Sequence, residues 1–237
     1  MGTSHDHIVK RYDEELARLT GEIVRMGEMA AAQLTGAMDV LERRDSRAAE
    51  RIVLNDVEID RLEHVVSHDV VRLLALRQPM ARDLREILAA LRIASDIERI
   101  GDYASNAAKR SMALNEYPVV SASRGLSALA GLAAQMLRDV LAAYRARDAE
   151  AALVVRARDA ELDARYTALF RELLTYMAED PRSISPAIHL LFIAKNIERI
   201  GDHATNIAEN VWFVVNGEAP LAEREKRDLT SAVGRSG

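Results

Sequence analysis

Two stretches of this chain carry acidic side chains in the same order and at the same spacing. Residues 91–106 read LRIASDIERIGDYASN and residues 191–206 read LFIAKNIERIGDHATN, with eleven of sixteen positions identical. Packing explains repeated apolar residues, but it does not explain repeated polar residues on the side of a helix that packing leaves open. The repeated polar residues are Glu98, Asp102 and Asn106 in the first copy and Glu198, Asp202 and Asn206 in the second.

Acids at this spacing can hold a cation. Residues four apart on a helix lie about 6 Å apart, so two carboxylates can bridge one ion, whereas without an ion they repel and destabilise the helix by roughly a few tenths of a kcal/mol. A second pair precedes each copy, because DVEID holds Asp56 and Asp60 and DAELD holds Asp159 and Asp163. Aspartate is a poor helix former, so paired aspartates in mid-helix also need a reason.

We therefore predict a metal site in each copy, at the place where the two acidic pairs meet if their helices are neighbours. Carboxylate and amide oxygens favour hard cations such as Mg²⁺, Mn²⁺ or iron, and Zn²⁺ also accepts carboxylates. The predicted ligands are Asp56, Asp60, Glu98, Asp102, Asn106, Asp159, Asp163, Glu198, Asp202 and Asn206.

Two other repeated residues lie beside these acids. Gly101 and Gly201 occupy the edge of the core face, where a glycine costs about 1 kcal/mol relative to alanine in mid-helix. We expect each glycine to allow a close approach between two helices. Arg99 and Arg199 are predicted to form salt bridges with the neighbouring acids.

Three functions remain open for such a chain: a metal-binding protein, a ferritin-like di-metal carboxylate enzyme, and a metal-free helical adaptor with solvated acids. Ferritin-like sites use a glutamate three residues before a histidine, and none of the six histidines here has one. The chain also has no G-x-S-x-G motif, no phosphate-cradling glycine loop and no cysteine nucleophile. We expect a protein that is not an enzyme.

The elements that carry these residues are predicted to be six long helices. Of the 237 residues, 49% are hydrophobic and only 4% are aromatic, with 11 Gly and 5 Pro, a composition typical of packed helices. Apolar residues at spacings of three and four predict six helices. Four of them cover residues 8–43, 80–115, 126–145 and 153–177, whereas the second ends at about residue 76 and the sixth at about residue 215. We predict an all-α fold of two tandem three-helix bundles, residues 8–115 and 125–217, followed by a charged tail at 218–237.

Composition also limits the location and the partners. There is no cysteine, which is typical of a protein in the reducing cytoplasm. We expect no membrane-spanning segment and no signal sequence. The formal net charge of −5 argues against a nucleic-acid partner. Any membrane association is expected to be peripheral and to depend on partner proteins.

Taken together, the doubled IERIGD, its flanking Ala and Asn, and the acidic DxExD on each middle helix resemble the PhoU family of phosphate-signalling accessory proteins. The resemblance covers about residues 11–217. It implies two three-helix bundles related by a pseudo-two-fold axis. It also implies multinuclear clusters of iron, zinc, manganese or magnesium on the Glu/Asp-x-x-x-Asp pairs, at the positions of this chain predicted above.

The same resemblance implies a biological role. Members are expected to be cytoplasmic negative regulators of phosphate uptake and of the phosphate-starvation regulon. They are expected to couple the ATPase subunit of a high-affinity phosphate ABC transporter to a sensor histidine kinase, and we expect a homodimer. Lys109 stands where the second copy has Glu209, so we predict that the first site holds fewer metal ions or binds them less tightly.

Overall fold

The chain folds into helices throughout the part that the computed structural model describes, which is residues 3–77, 79–119, 123–218 and 220. Side chains are described for residues 12–76, 79–119, 125–218 and 220. The α-helices in these ranges are α1 (Thr3–Arg43), α2 (Ser46–Arg77), α3 (Arg82–Leu114), α4 (Ser123–Ala146), α5 (Ala149–Ala157), α6 (Asp159–Glu179) and α7 (Ile184–Asn216), with a 3-10 turn at Pro181–Ser183. Apart from Glu218 and Pro220, the predicted charged tail lies outside the described residues.

The first bundle consists of α1, α2 and α3, and the second consists of α4, α5 with α6, and α7. The predicted fold class is therefore confirmed. The predicted fifth helix is wrong in one respect, because it is divided at Arg158 into α5 and α6. The Arg158 N–H donates to the carbonyl of Val155, three residues back, so the chain makes one tightened turn there and then continues.

The two bundles begin their middle helices in the same way. Asp45 accepts a hydrogen bond from the Ala48 N–H at 3.0 Å, and Asp148 accepts one from the Ala151 N–H at 2.9 Å. Each aspartate thus satisfies an N–H that the first turn of its helix leaves without a backbone partner. An arginine with a left-handed backbone precedes each aspartate. Arg44 has a φ of 56° and Arg147 a φ of 53°.

The third helices of the two bundles, α3 and α7, pack antiparallel against each other at the centre of the molecule. Arg110 of α3 lies over the ring of Phe192 at 4.0 Å, and the rings of Tyr103 and His203 are 5.7 Å apart. Each helix also buries three isoleucines fully at equivalent positions of the repeat, namely Ile93, Ile97 and Ile100 in α3 and Ile193, Ile197 and Ile200 in α7. The two acidic helices therefore share one rigid core.

One helix bears on the expectation that the chain has no membrane-spanning segment. Residues Gly125–Ala146 in α4 form a helix of 22 residues that is long and apolar enough to cross a membrane by those two criteria alone. In the fold its Leu126, Leu129, Leu137 and Val140 are almost completely buried against the other helices. The apolar composition of α4 is thus used for the core of the second bundle.

Both repeated glycines lie at close helix contacts, as predicted. A Cβ at Gly101 would lie 3.0 Å from Ile59 Cδ1 and 3.2 Å from an Asp56 oxygen, both on α2. A Cβ at Gly201 would lie 2.0 Å from Leu162 Cδ2 on α6. Each glycine therefore brings the middle helix of its bundle against the last one, and with it the paired aspartates of the middle helix.

Replacing Gly201 with alanine is expected to destabilise the protein although alanine is the better helix former. The added methyl group overpacks the buried Leu162, a change that costs about 1 to 3 kcal/mol and exceeds the helix-propensity gain of about 1 kcal/mol. Gly131 of α4 is a matched control, since a Cβ there has no atom within 4 Å and Gly131→Ala should be stabilising. Urea unfolding measures both, and equal effects of the two substitutions would contradict the close contact.

Candidate functional site

In the first bundle, α2 and α3 bring four predicted ligands together. We name Asp56 and Asp60 of α2 with Glu98 and Asp102 of α3 the first acidic face. Asp60 is exposed but partly desolvated by the neighbouring helices, which raises its pKa, and the charges of Asp56 and Asp102 raise it further. Burial likewise raises the pKa of Glu98, as do the charges of Asp102 and Asp60. The acids of the two helices are thus close enough to repel one another.

The first acidic face is only weakly neutralised by nearby cations. Arg99 Nη1 lies 3.3 Å from Asp102 Oδ2, and its Nε lies 3.5 Å from Glu98 Oε2, which confirms the salt bridges predicted for Arg99. The Arg99 side chain is 57% exposed, and ion pairs in contact with water contribute little. The pKa of Glu98 stays raised in spite of this arginine.

A residue that sequence analysis missed, Gln33 of α1, orients one carboxylate of this face. Its amide nitrogen donates to Asp56 Oδ1 at 2.8 Å and to the Gly101 carbonyl at 3.2 Å. Gln33 is only 9% exposed and therefore holds Asp56 from inside the bundle. A single amide within the apolar stripe of α1 was the available signal, and its partner could be identified only from the packing of three helices.

The second bundle repeats the arrangement with deeper burial. We name Asp159 and Asp163 of α6 with Glu198 and Asp202 of α7 the second acidic face. Asp159, Asp163 and Glu198 are 2%, 3% and 5% exposed. The Thr205 hydroxyl donates to the Gly201 carbonyl at 3.0 Å and lies 3.4 Å from Asp159 Oδ1, a longer contact between α7 and α6.

A lysine accompanies the acids of the second face. Lys195 Nζ lies 2.8 Å from Glu198 Oε2 and 5.1 Å from the centre of the Tyr166 ring. Tyr166 belongs to α6, three residues beyond Asp163. The ammonium group therefore lies where α6 and α7 meet, beside the buried carboxylates.

The two predicted amide ligands occupy different surroundings. Asn106 is exposed on α3. Asn206 donates to Asp96 Oδ1 at 3.3 Å, and His203 Nδ1 lies 2.7 Å from the same oxygen. Asn206 thus faces the contact between the two bundles, on the α3 side of α7, and its role as a ligand stays a prediction.

The acids are assembled in two rows and not around a point. Within the described ranges, no group of three or more His, Asp and Glu side chains is arranged so that it could hold a metal ion as it stands. The donors of the first face nevertheless suit a hard cation in type, because all four are carboxylates and a cation would relieve the repulsion that raises the pKa of Asp60 and Glu98. Side-chain rotation would be needed to close such a site.

The main cavity lies away from both faces. It has a volume of about 870 Å³ and is formed by α1, α3, α4 and α7, where Arg147 pairs with Glu86 at 2.6 Å. None of the ten predicted ligands lines it. The acidic faces are therefore not part of this cavity.

Comparison with known proteins agrees with the two-part architecture. The PhoU domain matches residues 23–111 and again residues 126–211. Over 234 residues the chain is 64% identical to a phosphate-specific transport system accessory protein PhoU homolog of Xylella fastidiosa (strain 9a5c), covering 98% of this chain and 99% of that one. A homolog of the same description from Rhizobium meliloti (strain 1021) is 47% identical over 232 residues, covering 98% of each chain.

Solved structures give the same answer for the fold. The crystal structure of PhoU from Pseudomonas aeruginosa matches with a TM-score of 0.83 and 36% identity, over 87% of this chain and 100% of that one. The phosphate transport system regulatory protein PhoU from Streptococcus pneumoniae matches with a TM-score of 0.83 and 29% identity, over 88% and 99% of the two chains. These relatives are named as accessory or regulatory proteins, not as enzymes.

Removing the charge of Glu98 is expected to stabilise the metal-free protein near pH 7. Because the pKa of Glu98 is raised in the folded state, its charged form disfavours folding at pH values above the folded pKa. The penalty disappears below the ordinary carboxyl pKa, so Glu98→Gln should raise the melting temperature in EDTA at about pH 7 but not at about pH 4.

Thermal unfolding followed by circular dichroism across this pH range measures the effect. Glu14→Gln, which removes an exposed acid of α1, is the control and should show no such trend. A Glu98→Gln protein that is less stable than the parent near pH 7 would contradict the repulsion.

Proposed function

This chain belongs to the PhoU family, and we propose that it is a metal-binding regulator of phosphate uptake and phosphate-starvation signalling. One observation carries the metal-binding part of the proposal: carboxylates on two adjacent helices of the first bundle lie close enough to raise the pKa of Asp60 and Glu98. Repulsion among these acids destabilises the metal-free protein. It is explained if the functional state of the protein includes a bound cation.

The residues that would hold metal are divided between the two bundles. Asp56 and Asp60 with Glu98 and Asp102 form one set, and Asp159 and Asp163 with Glu198 and Asp202 form the other. Asn106 and Asn206 are proposed as additional oxygen donors. Bound Mg²⁺, Mn²⁺, iron or Zn²⁺ would supply a positively charged, Lewis-acidic patch on an otherwise acidic surface.

The protein side of this chemistry is binding and orientation. Gln33 holds Asp56 through one oxygen, at 2.8 Å, and so limits the rotation of that carboxylate. Arg99, at 3.3 Å from Asp102, balances part of the acidic charge. The patch is proposed to engage phosphate groups, carboxylates of a partner or lipid headgroups.

The proposed cellular role follows the relatives. Their names as accessory proteins of a phosphate-specific transport system support an association of this chain with such a system. We propose that the chain acts in the cytoplasm as a homodimer, contacts the ATPase subunit of the phosphate ABC transporter and a sensor histidine kinase, and restrains uptake and the regulon when phosphate is plentiful.

A metal-free helical adaptor is the second candidate. The contact between Lys195 and Glu198 at 2.8 Å favours it for the second bundle, because a carboxylate there already has a cationic partner. An adaptor would use the same helical surfaces for docking without any bound ion. The two candidates predict different metal contents for the purified protein.

Metal analysis distinguishes the two. Protein purified without chelator and dialysed is expected to retain transition metal, and Glu98→Gln/Asp102→Asn is expected to lose the share held by the first face. Glu50→Gln/Glu58→Gln, which removes two exposed acids of α2, is the matched control and should retain the parental content. Negligible metal in all three proteins, each shown to be folded by circular dichroism, would leave only the adaptor.

Deleting the gene tests the regulatory role. Alkaline phosphatase expression in phosphate-rich medium is expected to rise severalfold on deletion and to return to the parental level with a wild-type copy. The Glu98→Gln/Asp102→Asn copy should fail to restore repression if the metal is required for regulation. Unchanged expression in the deletion strain would contradict the proposed regulation whatever the metal content.

A further inference from the structure

We propose that Lys195 is a built-in counter-ion of the second acidic face that competes with metal ions, so that the first acidic face takes up metal before the second. The inference rests on the proposed metal-binding function and adds to it an order of filling and the residue that sets the order. From Lys109 and Glu209 the sequence predicts the opposite, namely that the first site holds fewer metal ions or binds them less tightly.

The contacts of Lys195 identify it as a counter-ion. Its Nζ is 2.8 Å from Glu198 Oε2, and the Glu198 side chain is 6% exposed. A carboxylate at such depth needs a charged partner, because burying it alone is strongly unfavourable. The Tyr166 ring, 5.1 Å from the same Nζ, adds a favourable cation–π contact that holds the ammonium group at the seam between α6 and α7.

The equivalent position in the first bundle has no such group. Residue 95, one hundred positions before Lys195, is an exposed serine. The cation beside the first face is Arg99, whose Nε lies 3.5 Å from Glu98 and whose side chain is 57% exposed. Arg99 Nη1 also lies 3.3 Å from Asp102, but Arg99 is more exposed than Lys195 and farther from its carboxylates, so a metal ion that enters the first face meets a weaker competing cation.

The prediction of a weaker first site rests on Lys109, which stands where the second copy has Glu209. In the fold, Glu209 has another role. Glu209 accepts from Arg156 Nε at 2.9 Å, and Arg156 belongs to α5. This carboxylate is thus engaged in tying α5 to α7. Its negative charge is largely balanced by the arginine and adds little attraction for a metal ion at the second face.

A metal ion at the second face must therefore compete with a tethered cation. Lysine is a compact charge on a flexible four-carbon stem, and the Lys195 side chain is 33% exposed, so it can withdraw toward water. The lysine would keep the buried acids neutralised while metal is scarce and would release them at higher metal concentration. The second face then binds metal more weakly than the first, although its acids are more deeply buried.

An exchange of the two residues between the bundles tests this. Lys195→Ser is made together with Glu98→Gln/Asp102→Asn, so that only the second face binds. Ser95→Lys is made together with Glu198→Gln/Asp202→Asn, so that only the first face binds. Mn²⁺ titration of the full-length, chelator-treated proteins by calorimetry, with free Mn²⁺ counted by electron paramagnetic resonance, gives the affinity of each face.

The expected results are opposite for the two exchanges. Removing one positive charge from contact with the site should tighten Mn²⁺ binding at the second face about tenfold or more, and adding one should weaken it at the first face by a similar factor. Lys195→Arg keeps the charge and should leave the affinity near the parental value. Without metal, Lys195→Ser should lower the melting temperature, since the buried Glu198 then loses its contact with a cation.

The outcomes separate this inference from the function on which it rests. Mn²⁺ binding at both faces that does not respond to either exchange overturns the role of Lys195 and leaves metal binding intact. Absence of Mn²⁺ binding at both faces of the parent protein overturns the metal function and this inference with it. If Lys195→Ser does not fold, the change of exposed Ser95 to lysine still decides the question, because an unchanged first-face affinity contradicts the competition.

Discussion

Close contact between the middle and last helix of each bundle is the constraint on which the acidic faces depend. Gly101 permits α2 to lie against α3, and Gly201 permits α6 to lie against α7, with a would-be Cβ only 3.0 Å and 2.0 Å from the facing side chains. Each glycine gives up about 1 kcal/mol of helix propensity, which the packing of Ile59 and Leu162 must outweigh. The same contact forces carboxylates from two helices together, so packing and electrostatic repulsion are coupled at one place.

The two bundles relieve this repulsion by different means. In the first, Gln33 donates to Asp56 at 2.8 Å, and contact with water screens the remaining charge. In the second, the apolar Met136 is fully buried beside Gly201, 3.9 Å from where a Cβ of that glycine would lie. Thr205 and Lys195 supply the polar contacts there instead. Burial and an internal cation thus accompany each other, because a deeper carboxylate loses screening by solvent and needs a nearby positive charge.

The sequence predicts most of the fold because its apolar spacing, prolines and capping residues agree on where helices begin and end. It predicts that each mid-helix glycine allows a close approach between two helices, whereas the structure identifies the middle and last helices as the two that meet there. It does not reveal the break at Arg158, because a single tightened turn leaves the apolar stripe intact. The partner of Gln33 depends on how helices far apart in sequence are packed. Lys195 and Glu198 are three residues apart on α7, so their contact is compatible with the sequence spacing, but a residue that differs between two copies can be taken for drift. The contact of Asn206 with Asp96 of the other bundle likewise depends on this packing, and its role as a ligand stays a prediction.

The difference in exposure assigns different capacities to the two faces. Asp60 is exposed and Glu98 half-buried, so an ion between them would keep coordination positions open to a ligand from outside. Asp159, Asp163 and Glu198 are at most 5% exposed, so an ion there would be enclosed by protein oxygens and would act chiefly to hold α6 against α7. An open face suits the reversible contact that a regulator needs, whereas an enclosed one links stability to metal supply. The PhoU domain occurs twice in this chain, and if the two acidic faces bind metal as proposed, the exchange of Ser95 for Lys195 would make them respond to different metal concentrations.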